Sequence, residues 1–489
     1  MIKILKHVSC GIKIETGLKF LFFLIPVLLS FAFCSKVEAQ NFRIKCNIEG
    51  VQDSVIYMAY YFGDKTYLID TAYRNGKSKY VFEGDSSLPG GIYILAGQDN
   101  TKYLELIIDK EQRFGFKTSK DKMPSDIEFD HSIDNTIFYD YINFNVDKRK
   151  KIEQLKSRLR NFSSQPDSVG KLQKRIDSLF ILLENYRENL VADHPESFVS
   201  ELITAMQEPR MKLPDDHPVT RSDSLIAYVQ YRKHYWDDFD VSDDRLLRTP
   251  LFHNRLSNYF NHVLYQHPDT IIAAADSLIE MARPNKETFK YIVWYLTFTF
   301  ETSKVMGFDE ILVHMIDSYY ATGQAYWAEE STVKSLKKRA NELRNVLIGE
   351  PAPDLIILDT NNSFTSLYRY QAPYMVVLFY EYDCGHCKRE IKELKKWYEE
   401  DTIGFKVFAV CTDTSLVAWK KFIRKNDLPW IHVNATRSVT PDYHTLYDIM
   451  VTPTIYLLDN KKKIIAKRLK TEQLRPFLTN YHKMRRKDE

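Results

Sequence analysis

The sequence predicts a multidomain protein with a small β-sandwich-like domain, an all-α middle domain and a C-terminal α/β domain. Three observations support this fold class. The chain has 489 residues, which is long for a single hydrophobic core. Its apolar residues first alternate, then recur every three or four residues from about position 135, and then form continuous runs after position 349. The composition, 44% apolar and 27% charged, is that of a folded globular chain.

The charge balance gives no support for a nucleic-acid partner. The chain carries 68 basic and 65 acidic residues, a formal net charge of +3. Proteins that bind nucleic acid usually concentrate positive charge, so the near-neutral balance gives no reason to expect a nucleic-acid partner.

The N-terminus has the pattern of an export signal. Basic residues precede an apolar run from Phe20 to Phe33, which is shorter than the roughly 20 residues that span a bilayer. Small residues at Val37 and Ala39 predict cleavage after Ala39, so residues 1–39 are interpreted as a signal peptide. We therefore expect the mature protein in the periplasm or cell envelope. An uncleaved N-terminal anchor and lipid attachment at Cys34 are the alternatives.

Residues 40–132 are predicted to form the β-rich domain. The segment from Phe42 to Ile48 alternates apolar and polar residues, the period of a half-buried strand. Cys46 lies on its apolar face, so we interpret it as a core residue rather than a redox thiol. Turn-forming residues separate further short strands, which suggests a small antiparallel sandwich or barrel. These strands are predicted at Val55–Tyr61, Tyr67–Asp70, Tyr80–Glu83, Ile92–Gly97, Tyr103–Ile108 and Arg113–Thr118.

Residues 133–346 are predicted to be helical. Thr249 and Pro250 form a typical helix start, an N-cap followed by proline at the first helical position. The Pro/Asp-rich stretch Pro209–Pro218 predicts an interruption. The histidines here have no metal-ligand spacing, and we predict no metal site. Helices are predicted at Asp147–Asn161, Gly170–Leu190, Leu251–Leu264, Ile271–Met281, Thr288–Thr302, Phe308–Thr322 and Ser331–Asn345.

Residues 347–489 are predicted to form the α/β domain, with a mixed sheet covered on both faces. Val376–Tyr380 is a continuous apolar run, as expected of a buried central strand. The elements that follow it alternate between helix and strand before a closing helix. They are predicted at Cys387–Glu400, Phe405–Val410, Leu416–Lys425, Ile455–Leu458, Lys463–Lys467 and Thr471–Tyr481.

The chemistry is predicted at Cys384-Gly-His-Cys387, between the buried strand and the helix. Unpaired backbone amides and the dipole at a helix N-terminus favour negative charge, so the pKa of Cys384 should fall from about 8.5 toward neutrality or lower. Cys384 is thus the expected nucleophile. Cys387, one turn further into the helix, is the expected resolving thiol and the partner in a redox disulfide. We expect His386 to stabilise the Cys384 thiolate, or else to be exposed and without influence.

A single Cys-x-x-Cys pair also occurs as half of a zinc site or as a permanently closed disulfide. A structural zinc needs two more ligands, and the mature chain has no second Cys/His pair. We therefore expect neither a metal nor a cofactor.

Four segments together resemble a thioredoxin-fold domain: Gly349-Glu-Pro-Ala-Pro-Asp-Leu355, Met375–Tyr380, Cys384–Glu390 and Val451-Thr-Pro-Thr454. Their spacing resembles the TlpA/ResA-type, redoxin-related thiol–disulfide oxidoreductases of the bacterial cell envelope. The resemblance covers residues 349–481, and residues 41–345 are similar to uncharacterised modules that precede such domains.

The resemblance implies a thioredoxin-like fold and a thiol–disulfide oxidoreductase activity. It implies that Pro453 is cis and faces the disulfide, and that Thr452 offers backbone hydrogen bonds to a substrate chain. The implied partners are protein disulfide or dithiol substrates and a membrane or periplasmic electron donor or acceptor.

The chain departs from thioredoxins at two positions. Leu378 stands where thioredoxins have a buried aspartate that accepts the proton of the resolving thiol. Asp383 replaces the usual aromatic residue before the first cysteine, and its carboxylate would raise the pKa of Cys384 if it lay close. Glu381 or Glu390 are alternative proton acceptors. Cys411, after the second buried strand, is interpreted as a packing residue.

Two other functions compete with disulfide exchange. Peroxiredoxins share redoxin-like openings, but they place a threonine three residues before the reactive cysteine, where this chain has Glu381. The other alternative is an envelope scaffold with a vestigial redox domain, because residues 40–346 have no assigned role.

Overall fold

The computed structural model describes residues 42–161, 166–209 and 220–488. The predicted signal peptide at 1–39, with Cys34, and nearly all of the Pro209–Pro218 interruption lie outside these residues. Within them, no helix is both long and apolar enough to cross a bilayer.

The β region consists of two four-stranded sheets packed face to face. Their orders are β4-β1-β7-β8 and β3-β2-β5-β6. Both contribute to one core, for example Phe82 and Phe116 from the first sheet and Tyr93 and Leu106 from the second. The strands are β1 Phe42–Glu49, β2 Val55–Phe62, β3 Lys65–Tyr73, β4 Lys79–Gly84, β5 Gly91–Ala96, β6 Lys102–Ile108, β7 Arg113–Ser119 and β8 Ile127–Asp130.

The predicted strands and the sandwich are confirmed, with two corrections. β1 and β7 pair in parallel, whereas all strands were expected to be antiparallel. The strand β8 was not predicted, because its four residues Ile127–Asp130 are too few to show a clear period.

The helical region contains nine α-helices in the described residues. Thr249 caps α5 as expected, since its side chain accepts a hydrogen bond from the Leu251 N–H. The helices are α1 Ile133–Asn161, α2 Pro166–Asp193, α3 Phe198–Ala205, α4 Arg221–Lys233, α5 Pro250–Asn258, α6 Pro268–Ala282, α7 Lys286–Glu301, α8 Asp309–Met315 and α9 Glu330–Arg344.

Three features of this region differ from expectation. The helices α3 and α4 were not predicted, and α1 begins at Ile133 rather than Asp147. The first half of α1 is rich in aromatic and β-branched residues, and its packing against the sandwich overrides their weak helix propensity. The helical core also includes Ile92 and Ile107 from β5 and β6, so the β and helical regions share one hydrophobic core.

The C-terminal domain is built on a seven-stranded mixed sheet with the order β10-β9-β13-β12-β11-β14-β15. Its elements are β9 Ile356–Asp359, β10 Phe364–Ser366, β11 Tyr374–Tyr380, α10 Gly385–Glu399, β12 Phe405–Cys411, α11 Leu416–Asn426, β13 Ile431–Ser438, α12 Tyr443–Leu446, β14 Thr454–Asp459, β15 Ile464–Lys467 and α13 Thr471–Asp488. The strand β11 pairs in parallel with β12 and antiparallel with β14.

The central strand explains how this domain encloses its sheet. All seven residues of β11 are buried. Val376 and Leu378 contribute to the core under α10, whereas Val377 and Phe379 contribute to the core on the opposite face. The predicted mixed sheet with both faces covered is confirmed. The strands β9, β10 and β13 were not predicted, because they are short or end in polar residues.

Candidate active site

The two cysteines of the Cys-x-x-Cys pair occupy different positions at the start of α10. Cys384 is the N-cap, partly exposed, and its Sγ accepts a hydrogen bond from the Cys387 N–H at 3.3 Å. Cys387 lies in the first turn and is completely buried. Both are free thiols. The sulfur of Cys384 thus fills the role that an N-cap oxygen usually has, satisfying an amide that the helix leaves unpaired.

The environment of Cys384 favours its thiolate. Partial burial opposes ionisation, but hydrogen bonds from the Cys387 N–H, the Cys387 thiol and the His386 N–H outweigh it and lower the pKa of Cys384. The lowered pKa that was predicted for a cysteine at the helix start is therefore present, and it arises from the hydrogen bonds that Cys387 and His386 donate.

The environment of Cys387 has the opposite effect. Burial raises the pKa of its thiol to about 12, and the neighbouring Cys384 adds to the shift. Hydrogen bonds from the Glu381 backbone and the Thr452 side chain lower it only in part. Cys387 therefore remains protonated at neutral pH and can donate its S–H hydrogen bond to the Cys384 thiolate.

The imidazole of His386 contacts Arg389, whereas the sequence suggested that it stabilises the Cys384 thiolate. His386 is exposed, and its Nδ1 accepts a hydrogen bond from the Arg389 guanidinium. Arginine has donors but no acceptor, so Nδ1 is the acceptor in this contact. In this geometry the contribution of His386 to the thiolate comes from its backbone N–H, and a role for its side chain stays a prediction.

The carboxylates near the pair also differ from expectation. Asp383 is exposed and forms an ion pair with Lys388 at 2.9 Å. Its charge is not among the largest causes that set the pKa of Cys384, whereas the charge of Glu381 is and opposes ionisation there. Glu390 accepts a hydrogen bond from the Thr471 N–H at 2.8 Å and borders the same cleft as Pro453.

Asp413, at the end of β12, was missed in the sequence because it stands in no recognisable motif. Its carboxylate accepts a hydrogen bond from the Tyr382 N–H at 3.0 Å, which holds the loop before Cys384. Partial burial and the charge of Glu381 raise the pKa of Asp413.

The loop before β14 forms the second wall of the site. The Thr452–Pro453 peptide bond is cis, as the resemblance implies, and the Thr452 side chain hydrogen-bonds the Cys387 sulfur. A cleft of about 310 Å³ separates this loop from His386 and Glu390. Met450 and Val451 border the cleft and are 76% and 71% exposed. The structure thus brings all the predicted site residues together: Cys384, His386, Cys387, Thr452 and Pro453.

The other two cysteines of the described chain lie in hydrophobic cores. Cys46 is buried in the sandwich and Cys411 in the C-terminal domain, opposite Tyr380 of β11. Burial raises the pKa of both thiols, that of Cys411 to about 12. The interpretation of both as packing residues is confirmed.

Comparison with known proteins decides the family. Residues 348–467 match the model of the AhpC/TSA family. A domain of a possible thiol-disulfide isomerase from Cytophaga hutchinsonii is 36% identical, and the match covers 29% of this chain and 97% of that chain, with a TM-score of 0.27. The chain belongs to the thioredoxin-like thiol–disulfide oxidoreductases.

Two further solved structures resemble parts of this oxidoreductase. The thioredoxin domain of a thiol-disulfide oxidoreductase from Bacteroides vulgatus is 28% identical over 28% of this chain and 98% of its own, with a TM-score of 0.26. A thioredoxin-like protein from Bacteroides caccae is 20% identical over 55% of this chain and 98% of its own, with a TM-score of 0.40.

The rest of the oxidoreductase matches two families without a known role. Residues 42–138 match the DUF4369 domain of unknown function, and residues 212–342 match the DUF5106 domain of unknown function. Comparison with curated proteins gave no significant match. Within the described chain, no group of three or more His, Cys, Asp or Glu side chains is placed to hold a metal ion.

Proposed function

We propose that the chain is an exported oxidoreductase that exchanges disulfides with proteins of the cell envelope through Cys384 and Cys387. The observation that carries the proposal is the contrast within the pair: an accessible sulfur with a lowered pKa lies next to a buried one whose pKa is raised to about 12. This is the arrangement that a nucleophile and a resolving thiol require.

The exchange proceeds through two displacements. The Cys384 thiolate attacks one sulfur of a substrate disulfide, forms a mixed disulfide, and releases the other substrate sulfur as a thiolate. Cys387 then loses its proton and attacks the Cys384 sulfur, which closes the Cys384–Cys387 disulfide and releases the second substrate thiol. The substrate gains two electrons that the enzyme loses, and the reverse sequence oxidises a dithiol substrate.

The surroundings of the pair suit a polypeptide substrate. The exposed side chains of Met450 and Val451 offer apolar contact in the cleft that Pro453 and His386 border. We infer that Thr452 offers its backbone to the substrate chain. A membrane or periplasmic donor or acceptor of electrons would then reset the pair.

The position of Cys387 favours exchange over peroxide reduction. Its N–H lies 3.3 Å from the Cys384 sulfur, so any mixed disulfide at Cys384 forms beside its own resolving thiol. A direct comparison of the rates with hydrogen peroxide and with a protein disulfide, using dithiothreitol as reductant, distinguishes the two activities.

Trapping tests the proposal. The Cys387→Ser variant should accumulate mixed disulfides with envelope proteins, because the second displacement is blocked. These adducts should migrate as high-mass bands that dithiothreitol removes. The double variant Cys384→Ser/Cys387→Ser is the matched control and should trap nothing. Equal trapping by both variants, or none by Cys387→Ser, contradicts exchange and supports the scaffold alternative.

Export rests on the N-terminal pattern and needs its own test. If residues 1–39 are removed during export, the mature protein recovered from the cell envelope should begin at Gln40. Mass spectrometry of the mature N-terminus measures this. A chain recovered with Met1 intact indicates an uncleaved anchor instead.

A further inference from the structure

The cis-proline wall of the active site is attached to the helical region by an ionic cluster around the buried side chain of Asp448. Asp448 lies five residues before Pro453 and borders the same cleft. Its side chain is only 2% exposed and accepts hydrogen bonds from Arg339, in α9, at 2.5 and 3.0 Å. Arg468, just after β15, is its second cationic partner.

In this cluster two arginines, Arg339 and Arg468, bind the carboxylate of Asp448. Arg339 binds both carboxylate oxygens, the bidentate arrangement that fixes orientation as well as distance. Burial alone would raise the pKa of Asp448, but the hydrogen bond from Arg339 and the charges of Arg468 and Arg339 lower it. Asp448 is therefore ionised within the protein, and its ionised form is stabilised by these two arginines.

The backbone at Asp448 makes this attachment specific. Its φ is +45°, in the left-handed region that side-chain-bearing residues rarely adopt. Such a conformation persists only where the surroundings impose it. The ionic cluster thus fixes a turn from which residues 449–453 extend to the cysteines.

The helix that supplies Arg339 is anchored elsewhere. Ala340 and Leu343, on the same helix, are buried in the core of the helical region. A second interdomain ion pair lies alongside, between Asp309 of α8 and the buried Lys467 of β15. The helical region therefore holds both Asp448 and the strand end that carries Arg468.

Residues 450–453 connect Asp448 to the cis-proline at the active site. Met450 and Val451 are exposed, and the next residue, Thr452, lies close enough to the Cys387 thiol to lower its pKa. Ile449 packs in the core on one face of the sheet, and the Thr454 hydroxyl donates a hydrogen bond to the Val451 carbonyl at 2.6 Å, so the exposed side chains of Met450 and Val451 lie between fixed points. Asp448 is the fixed point of this loop that the helical region holds, through Arg339.

We propose that Arg339 is a positioning residue of the active site: through Asp448, the helical region sets the loop that receives the substrate chain. This proposal rests on the proposed function. It gives the DUF5106 region, which contains Arg339, a role in positioning the active site. It distinguishes two substrate classes. A polypeptide disulfide must align with residues 450–453, whereas a small disulfide needs only access to Cys384.

The test compares two disulfides in full-length protein. The first is reduced in turnover with dithiothreitol as reductant, and the second is reduced in a single turnover by pre-reduced protein freed of dithiothreitol, because dithiothreitol would reduce it directly. Insulin serves as the polypeptide probe and 5,5′-dithiobis(2-nitrobenzoate) as the small one. We expect Arg339→Ala to raise the KM for insulin about tenfold, since displacements near 1 Å at a reacting centre can cost up to about a hundredfold. The second-order rate constant for the small disulfide and the alkylation rate of Cys384 should stay within about twofold of wild type.

Two further variants keep the result interpretable. Arg339→Lys retains the charge but not the bidentate fork, so it should recover part of the lost affinity. Asp448→Asn keeps the side-chain volume and should reproduce the KM effect if Arg339→Ala does not fold. Arg344→Ala is the matched control, because Arg344 is on the same helix but pairs with Asp317 inside the helical region at 2.7 Å.

Unchanged insulin kinetics in Arg339→Ala or Asp448→Asn overturn the proposal, as does an equal loss with both disulfides or an equal effect of Arg344→Ala. If wild-type protein reduces neither disulfide and its Cys384 resists alkylation, the proposed function itself fails. The two failures are therefore distinguishable.

Discussion

The start of α10 and the end of β12 each present a cysteine within the same domain, yet they give the two sulfurs opposite properties. Both Cys384 and Cys411 receive hydrogen bonds from backbone N–H groups, which favour a thiolate. At Cys384, which is partly exposed, these bonds outweigh desolvation and the pKa falls. At Cys411, which is completely buried, desolvation wins and the pKa rises to about 12.

This comparison shows that donors alone do not make a reactive cysteine. The helix start supplies its amides at the protein surface, where the thiolate keeps part of its hydration. The strand end supplies amides too, but inside a core where a charge has no solvent. Cys387 resembles Cys411 in this respect although it is adjacent to Cys384, which is why the pair divides into nucleophile and resolving thiol.

The largest effect expected from this comparison is on activity. Cys384→Ser should lower the rate of insulin reduction at least about a thousandfold, because a serine hydroxyl is not ionised at neutral pH and cannot form the mixed disulfide. Turnover with dithiothreitol measures the change. Cys411→Ala is the matched control and should keep the rate within about twofold, while costing about 1–2 kcal/mol of stability for the lost buried atoms. Comparable activity losses in both variants would contradict the conclusion that Cys384 is the reactive thiol and Cys411 is a packing residue.

The second expected effect is on alkylation of the reduced native protein. At pH 7, iodoacetamide should modify Cys384 at least about a hundredfold faster than Cys387, Cys411 or Cys46, because only Cys384 combines access with a lowered pKa. The Cys384 rate should fall only as the pH drops through that lowered pKa. Peptide mass spectrometry across a pH series measures all four sites, with unfolded protein as the control in which the four rates converge. Modification of Cys411 in the native protein would contradict its burial.

The smallest expected effect distinguishes the two carboxylates beside the pair. Glu381→Gln should lower the pKa of Cys384, because the charge of Glu381 opposes its ionisation. Asp383→Asn is the matched control and should leave that pKa unchanged, since Asp383 is exposed and paired with Lys388. The pH dependence of Cys384 alkylation measures both. If the pKa of Cys384 shifted equally in Asp383→Asn and Glu381→Gln, the ion pair of Asp383 with Lys388 would not shield the sulfur from its charge.

Much of the C-terminal domain was predictable because its signals are local. The apolar run of β11, the amphipathic α10 and the Cys-x-x-Cys between them identify a strand, a helix and a nucleophile without reference to any distant residue. The short strands of the sandwich were equally visible, since alternation and turn residues are local too. The parallel pairing of β1 with β7 was not, because pairing direction depends on the path of the whole chain.

The position of the proposed nucleophile follows from a few adjacent residues, because a helix N-terminus and its unpaired amides are local features. The surroundings of that sulfur depend also on contacts between residues that are far apart in the chain. The tertiary structure turned the His386 side chain toward Arg389, paired Asp383 with Lys388, and joined Arg339 to Asp448 across 109 positions of the chain. Such contacts bring together residues from separate elements, and their energies depend on burial and distance, which no local pattern of residues encodes.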